Sequence, residues 1–160
     1  MPLPCILKKW RGDPTQSKHI SIMGTRSRIG IKLKDDSILS VYHHWDGYPE
    51  WLGRRLEATY NTKEKVSELI DGGDMSSCWS DSIWGQDLPE GEYAPEYYSA
   101  RGETCPPDVA ESITEYLQQS SDCGGEYAYV FDNGEWFCYN TQTWDDSFAQ
   151  LVDIPEAVAA

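Results

Sequence analysis

The protein has 160 residues, of which 39% are hydrophobic and 12% aromatic, so it fits one folded domain and not a disordered tail. No stretch approaches the roughly 20 apolar residues of a membrane span, and the apolar N-terminal segment lacks the pattern of a secretory signal. The formal net charge is −14: residues 66–160 hold a single Arg against 20 acids, which excludes direct nucleic-acid binding by that half.

The first predicted element is a β-hairpin. From position 28 to position 34 apolar residues alternate with Gly and Lys, as in a half-buried strand. The Asp35-Asp36 pair indicates a turn, and the β-rich run at 37–44 supplies the second strand.

Two helices are predicted to follow. Pro49 suits the first turn of a helix, where its missing N–H costs little, and the apolar residues after it share one face. A second helix begins near Asn61, whose side chain is expected to cap it, with Glu64 at capping-box spacing. It ends at the Gly72-Gly73 pair, since glycine tolerates a left-handed C-terminal cap.

A third helix is predicted after Pro106-Pro107, where apolar residues from Val109 to Leu117 recur at helical spacing. The segment before it, 74–105, is rich in Ser, Asp, Gly, Pro and aromatics, and no element is assigned there. The third helix is therefore the first element that the sequence predicts after residues 74–105.

A second hairpin is predicted near the C-terminus. Residues 126–131 and 135–139 flank Asp132-Asn133-Gly134, and Asn-Gly is a strong signal for a tight hairpin turn. Residues 144–152 are expected to form either a short helix or a strand.

The order of elements predicts an α+β fold with one domain over 23–154. Its antiparallel sheet is expected to consist of two hairpins packed with about three helices. Residues 1–22 are expected to form an N-terminal extension, and 155–160 a flexible tail.

Metal, cofactor and catalytic motifs are weak in this sequence. The five cysteines are scattered, and an odd count leaves at least one thiol unpaired, which suits a reducing compartment. His43 and His44 are adjacent, so on a strand they point to opposite faces. No phosphate-binding glycine loop and no nucleophile elbow occurs. We therefore assign no catalytic residue, metal or cofactor, and favour a role that is not enzymatic.

Several strings in the sequence are similar to those of one protein family. They are Met-Gly-Thr-Arg-Ser at 23–27, Tyr-His-His-Trp-Asp-Gly-Tyr-Pro-Glu at 42–50, segments within 65–77, Tyr-Ser-Ala-Arg-Gly-Glu at 98–103, and Tyr-Ala-Tyr-Val-Phe at 127–131. Over about 23–140 the sequence thus resembles a family of small proteins of phages, plasmids and bacterial genomes. The resemblance implies a phage protein made in the host cytoplasm. It implies no activity, since none is established for the family.

Acidic and aromatic residues are interleaved in the irregular middle of the sequence, which suits docking on a basic, partly apolar protein surface. The candidate partner-binding residues are Trp79, Asp81, Trp84, Asp87, Glu90, Glu92, Tyr93 and Glu96. The alternative is that the rings only cover the sheet and the acids only keep the protein soluble.

A second candidate site is a pocket around the strand-to-helix junction at 42–50. Its candidate residues are His43, His44, Asp46, Tyr48, Arg101 and Glu103. A His near an Asp can form an oriented general base, and Arg101 can bind an anion. The structural alternative is that Asp46 caps the following helix and that Arg101 pairs with Glu103 or Asp46.

Two functions follow from these sites. The first is a phage protein that binds and modulates, by inhibition, a host protein such as a nucleic-acid-handling or defence factor. The second is a small enzyme or ligand-binding domain centred on 43–49. A virion structural role is disfavoured, because no coiled coil, repeat or long β pattern appears. The oligomeric state and the partner's identity are left open.

Overall fold

The structure is a computed structural model that describes residues 25–142 and 149–155. The predicted extension at 1–22, residues 144–148 and all of the predicted tail except Pro155 lie outside the described residues. The strands are β1 Ser27–Lys32, β2 Ile38–His43, β3 Met75–Ser80, β4 Ser82–Ile83, β5 Gln86–Asp87, β6 Ala94–Tyr97, β7 Asp108–Ala110, β8 Tyr127–Asp132, β9 Glu135–Asn140 and β10 Gln150–Val152. The helices are α1 Arg54–Thr59, α2 Lys63–Asp71 and α3 Ile113–Asp122, with a π-helical turn Pro49–Gly53 before α1 and a 3-10 turn Tyr98–Arg101 after β6.

The fold is α+β, as predicted, but its main sheet is mixed and not antiparallel. Its strand order is β10-β9-β8-β1-β2-β3-β6, with β7 also paired to β2. The β1–β8 and β2–β3 pairs are parallel, and the other neighbours in this sheet are antiparallel. The prediction of an antiparallel sheet from two hairpins was wrong in this respect. The two hairpins meet through β1 and β8, which run in the same direction, and β3 follows β2 after two helices and runs parallel to it.

Both predicted hairpins are present. In the first, β1 and β2 pair antiparallel from Ser27 opposite His43 to Lys32 opposite Ile38. In the second, β8 and β9 are joined by Asn133 and Gly134, with φ of 52° and 86°. Two consecutive left-handed residues match the right-handed twist of the flanking strands, which is why Asn-Gly marks this turn.

The predicted helices are present with shifted starts. Thr62, and not Asn61, caps α2 by accepting the Lys65 N–H at 3.2 Å. The third helix begins at Ile113 and is capped by Ser112, so Val109 is not helical. Val109 instead lies in β7, where it pairs with Leu39 of β2, and it is 55% exposed. This corrects the prediction that Val109 belongs to the apolar stripe of the third helix.

Apolar side chains pack against both faces of the sheet. In β8, Tyr129 and Phe131 belong to the larger core with α1 and α2, whereas Ala128 and Val130 belong to the core with α3. The alternation follows from the two-residue period of a strand. Within the described ranges, no helix has the length and hydropathy needed to cross a membrane.

Candidate functional site

A groove of about 690 Å3 opens between the 44–48 turn, the start of the helical segment, β3 and the loop before β6. Its aromatic side chains are Trp45, Trp51, Trp79 and Tyr93. Its charged side chains are Asp46, Arg55, Asp81 and Glu96. We refer to these eight residues, with three serines of β3 between them, as the aromatic–acidic groove.

The turn after β2 places Trp45 and Asp46 at the groove. The Trp45 N–H donates to the Ser76 carbonyl at 3.0 Å, which ties the turn to β3. Gly47 is held from both sides: its N–H donates to the Thr25 carbonyl at 2.8 Å, and its carbonyl accepts the Tyr129 hydroxyl at 2.7 Å. Because the turn is pinned on either side of Trp45 and Asp46, these two residues are presented by a fixed backbone.

Asp46 does not cap the following helix. The N-cap residue is Tyr48, whose side chain makes no capping hydrogen bond. The Tyr48 carbonyl accepts the N–H groups of Trp51 and Leu52. Asp46 is exposed and has a left-handed backbone with φ of 55°. The structural alternative for Asp46 was therefore wrong, and Asp46 is an exposed residue of the groove lining.

Trp79 and Tyr93 form an aromatic wall of the groove. Their rings stack with centroids 5.2 Å apart and planes 8° apart. Tyr93 is 48% exposed and Trp45 is 39% exposed, so one ring on each side of the groove is open to a partner. Exposed rings of this size are a common anchor in protein interfaces.

Arg55 lies against this wall. Its guanidinium carbon is 4.4 Å from the centroid of the Trp79 ring and 5.8 Å from that of Trp51. Its Nε is buried without a hydrogen-bond partner, and no hydrogen bond or ion pair joins Arg55 to another residue of the described ranges. The sequence analysis missed Arg55, although its i,i+4 spacing from Trp51 places both on one helix face.

Three carboxylates give the groove its negative charge. Asp46 and Asp81 are exposed, whereas Glu96 is half-buried and accepts the Trp84 backbone N–H at 2.8 Å. The groove therefore brings together four of the predicted partner-binding residues and one residue of the alternative pocket. The four are Trp79, Asp81, Tyr93 and Glu96, and the one is Asp46.

The remaining predicted partner-binding residues lie outside the groove lining. Asp87, Glu90 and Glu92 are exposed on β5 and the loop after it. The Trp84 indole N–H donates to the Tyr97 carbonyl at 2.7 Å, which fixes the β4–β5 hairpin against β6.

Arg101 and Glu103 form an ion pair beside this hairpin. The Arg101 guanidinium carbon lies 4.2 Å from the centroid of the Trp84 ring and 5.1 Å from that of Tyr98. Glu103 is the carboxylate partner of Arg101. It is one of the two partners, Glu103 or Asp46, that the structural alternative predicted. Neither residue lines the groove.

His43 is part of the core. It is fully buried, and its Nε2 accepts the Cys78 N–H at 3.0 Å. Burial, with a smaller effect of the His44 charge, lowers the pKa of His43 to about 3. A group that stays neutral and has no access to solvent does not serve as a general base for a bound substrate.

His44 and Tyr48 have other surroundings. The His44 Nδ1 lies 2.6 Å from the Tyr42 hydroxyl, and the His44 ring meets Trp45 edge-on with centroids 4.6 Å apart. Tyr48 is half-buried at the start of the π-helical turn. The structure thus separates the six residues of the alternative pocket: His43 lies in the core, Asp46 lines the groove, Arg101 pairs with Glu103, and His44 and Tyr48 lie in none of these places.

Two observations concern metal ligands and thiol groups in the described residues. Within residues 25–142 and 149–155, no group of three or more His, Cys, Asp or Glu side chains is arranged to hold a metal ion. Burial raises the pKa of the Cys78 and Cys138 thiols to about 12, so both stay protonated at neutral pH.

Comparison of the sequence and structure with protein-family models, with curated proteins and with solved structures finds no match.

Proposed function

We propose that this protein is a phage-encoded binding protein that docks on a basic surface of a host protein and inhibits it. The observation that carries the proposal is the aromatic–acidic groove, where the exposed rings of Trp45 and Tyr93 lie with the carboxylates of Asp46 and Asp81. Rings and carboxylates together suit Lys and Arg side chains, which pair with acids and lie over aromatic faces.

The charge distribution supports the same partner. Residues 66–160 have one basic residue against 20 acids, and such a field steers association towards a basic surface. Basic surfaces are typical of proteins that hold nucleic acid, because they neutralise phosphates. A host nucleic-acid-handling or defence factor is therefore the partner class that we propose, with the host cytoplasm as the place of action.

The proposal is tested by affinity capture from host lysate with wild type and a doubly neutralised groove variant, Asp46→Asn with Asp81→Asn. We expect the wild type to retain one host protein at low salt and to lose it at high salt. The double variant should retain about tenfold less, because two charge pairs of the interface are removed.

The matched control is a double variant with the same change of charge outside the groove, Glu64→Gln with Glu135→Gln. Both residues are exposed and neither lines the groove. Equal loss of capture in both double variants would show that only net charge matters. Full capture by the groove variant would contradict the groove as the docking surface.

A second candidate function is the binding of a small molecule in the same groove. It is favoured by one observation: Asp46 is exposed in the groove and is not used as a helix cap. This function predicts that a small ligand binds the isolated protein without any host protein, whereas the first function does not require it.

A further inference from the structure

We propose that Arg55 is the carboxylate-binding group of the aromatic–acidic groove. The inference rests on the proposed function in treating the groove as the docking surface. It adds that the bound segment of the partner presents a carboxylate beside its basic side chains. The ligand chemistry is a single carboxylate, carried either by an acidic side chain or by the C-terminus of a polypeptide.

Arg55 is held in place by aromatic rings but is not neutralised by a carboxylate of the described residues. Its guanidinium is placed against Trp79 and Trp51, and its Nε–H is buried without an acceptor. Arg55 as a residue is only half-buried and lines the groove, so its guanidinium faces a bound anion although its Nε is covered. Packing against the two rings restricts the guanidinium before binding, so less conformational freedom is lost when an anion binds.

Arg101 shows by contrast what is unusual about Arg55. Both guanidinium groups lie over aromatic rings, at 4.2 Å from Trp84 for Arg101 and 4.4 Å from Trp79 for Arg55. Arg101 has its carboxylate within the same protein, in Glu103. Arg55 has no such partner in the described ranges, although Glu96 and Asp81 line the same groove.

The acidic residues of the groove determine which anion fits beside Arg55. A guanidinium binds carboxylate and phosphate alike through two parallel N–H···O bonds. The groove also holds Asp46, Asp81 and Glu96, which repel any anion in proportion to its charge. A carboxylate carries one negative charge, whereas a phosphate group carries about 1.5 to 2 at neutral pH. The surrounding acids therefore favour a carboxylate over a phosphate.

The mixed charge of the groove defines the partner segment. Asp46 and Asp81 receive basic groups, and Arg55 receives an acidic one, so a purely basic segment leaves Arg55 unpaired. Leaving a charge desolvated and unpaired at an interface is costly, which makes Arg55 a specificity-determining residue. We therefore expect the bound segment to combine basic residues with one carboxylate.

The test is an NMR titration of the isolated full-length protein at constant ionic strength, following the Arg55 Nε–H and the Trp79 indole N–H. Three probes are used. N-acetylglutamate α-amide carries only a side-chain carboxylate, N-acetylglycinate carries only a terminal carboxylate, and the third probe is inorganic phosphate. We expect saturable shifts with at least one carboxylate at roughly millimolar concentration, and weaker binding of phosphate. The tighter carboxylate identifies the source.

Variants make the assignment specific. Arg55→Gln should weaken carboxylate binding about tenfold or more, and Arg55→Lys should do so less, because it keeps the charge but loses the planar fork. Arg101→Gln is the matched control and should leave the affinity unchanged. No saturable shift with either carboxylate, unchanged affinity in Arg55→Gln, or tighter binding of phosphate would overturn the proposal.

This result is distinguishable from failure of the docking proposal. If the carboxylates do not bind but Asp46→Asn with Asp81→Asn still reduces capture of the host protein, only the assignment of Arg55 falls. If the carboxylates bind and the captured amount is unchanged in the acidic double variant, the docking proposal falls and the groove is a site for small carboxylates.

Discussion

At the scale of single residues, His43 is a neutral imidazole built into the core. Its Nε2 accepts the Cys78 N–H, and its Nδ1 is buried without a hydrogen-bond partner. Its pKa in the folded protein is about 3, below the value of about 6.5 in an unfolded polypeptide. The unfolded state therefore binds a proton at His43 more readily than the folded state does.

His43 should consequently make the protein sensitive to acid. Its contribution to the free energy of unfolding is fully present above about pH 6.5 and is lost as the pH falls towards 3, by about 1.4 kcal/mol for each pH unit. His43→Gln keeps an acceptor for the Cys78 N–H but has no such titration. Urea unfolding measures the free energy of unfolding of both proteins at pH 7 and pH 4.5. From pH 7 to pH 4.5 the wild type should lose about 2–3 kcal/mol more of this free energy than the variant does.

The subtraction of the variant from the wild type matters because carboxylates also titrate in this range. Asp35, whose pKa is lowered by hydrogen bonds from Ser37, contributes equally to both proteins. A difference between the two proteins that stays constant from pH 7 to pH 4.5 would contradict a neutral, buried His43.

At the scale of elements, the junction between α2 and β3 sets the position of the groove's strand. Gly73 has φ of 87°, and a Cβ there would collide with the Cys105 carbonyl oxygen, which accepts the Asp74 N–H at 3.0 Å. β3 begins at Met75 and carries Trp79 to the groove. The backbone reverses tightly here only because position 73 lacks a side chain.

Gly73→Ala should therefore be more destabilising than Gly134→Ala, which is its matched control. Gly134 has nearly the same φ, 86°, but a Cβ there meets nothing within 4 Å. Left-handed backbone alone costs a non-glycine residue about 1–2 kcal/mol, and the collision at 73 should add about 1–3 kcal/mol. Equal loss of stability in the two variants, measured by urea unfolding, would show that the collision is relieved by a backbone shift.

Local signals account for the part of the fold that the sequence predicted. Alternation and the Asn133-Gly134 turn specify hairpins, and apolar spacing with Pro49 specifies a helical segment, because these features act over a few residues. The parallel pairing of β1 with β8 joins residues 100 positions apart, such as Ser27 with Tyr127. No local pattern specifies that register, so the mixed sheet could not be predicted.

The candidate site was predictable only in pieces for the same reason. The sequence shows Trp79 and Tyr93 as aromatics among acids, and Asp46 as part of the string at 42–50. Their meeting in one groove depends on the tie between Trp45 and Ser76, which crosses from the turn to β3. Arg55 is one of several basic residues in the first half of the protein, so composition alone does not single it out.

At the scale of the whole molecule, charge and shape act at different ranges. The uneven charge reaches out over about 8–10 Å of physiological salt solution and brings a basic partner close. The exposed rings of Trp45 and Tyr93 act only on contact, where they exclude water from the charge pairs. Long-range steering alone therefore does not determine which surface of the partner is bound.

The most direct test of the groove as the docking surface is site-specific photo-crosslinking in infected or expressing host cells. The photoreactive residue p-benzoylphenylalanine would replace Trp45 or Tyr93 in the groove, and, as a control, Val109 or Leu151, which are exposed on other strands. We expect one host protein to be crosslinked from both groove positions and from neither control. The same protein crosslinked equally from the controls, or no host protein from either groove position, would contradict the account.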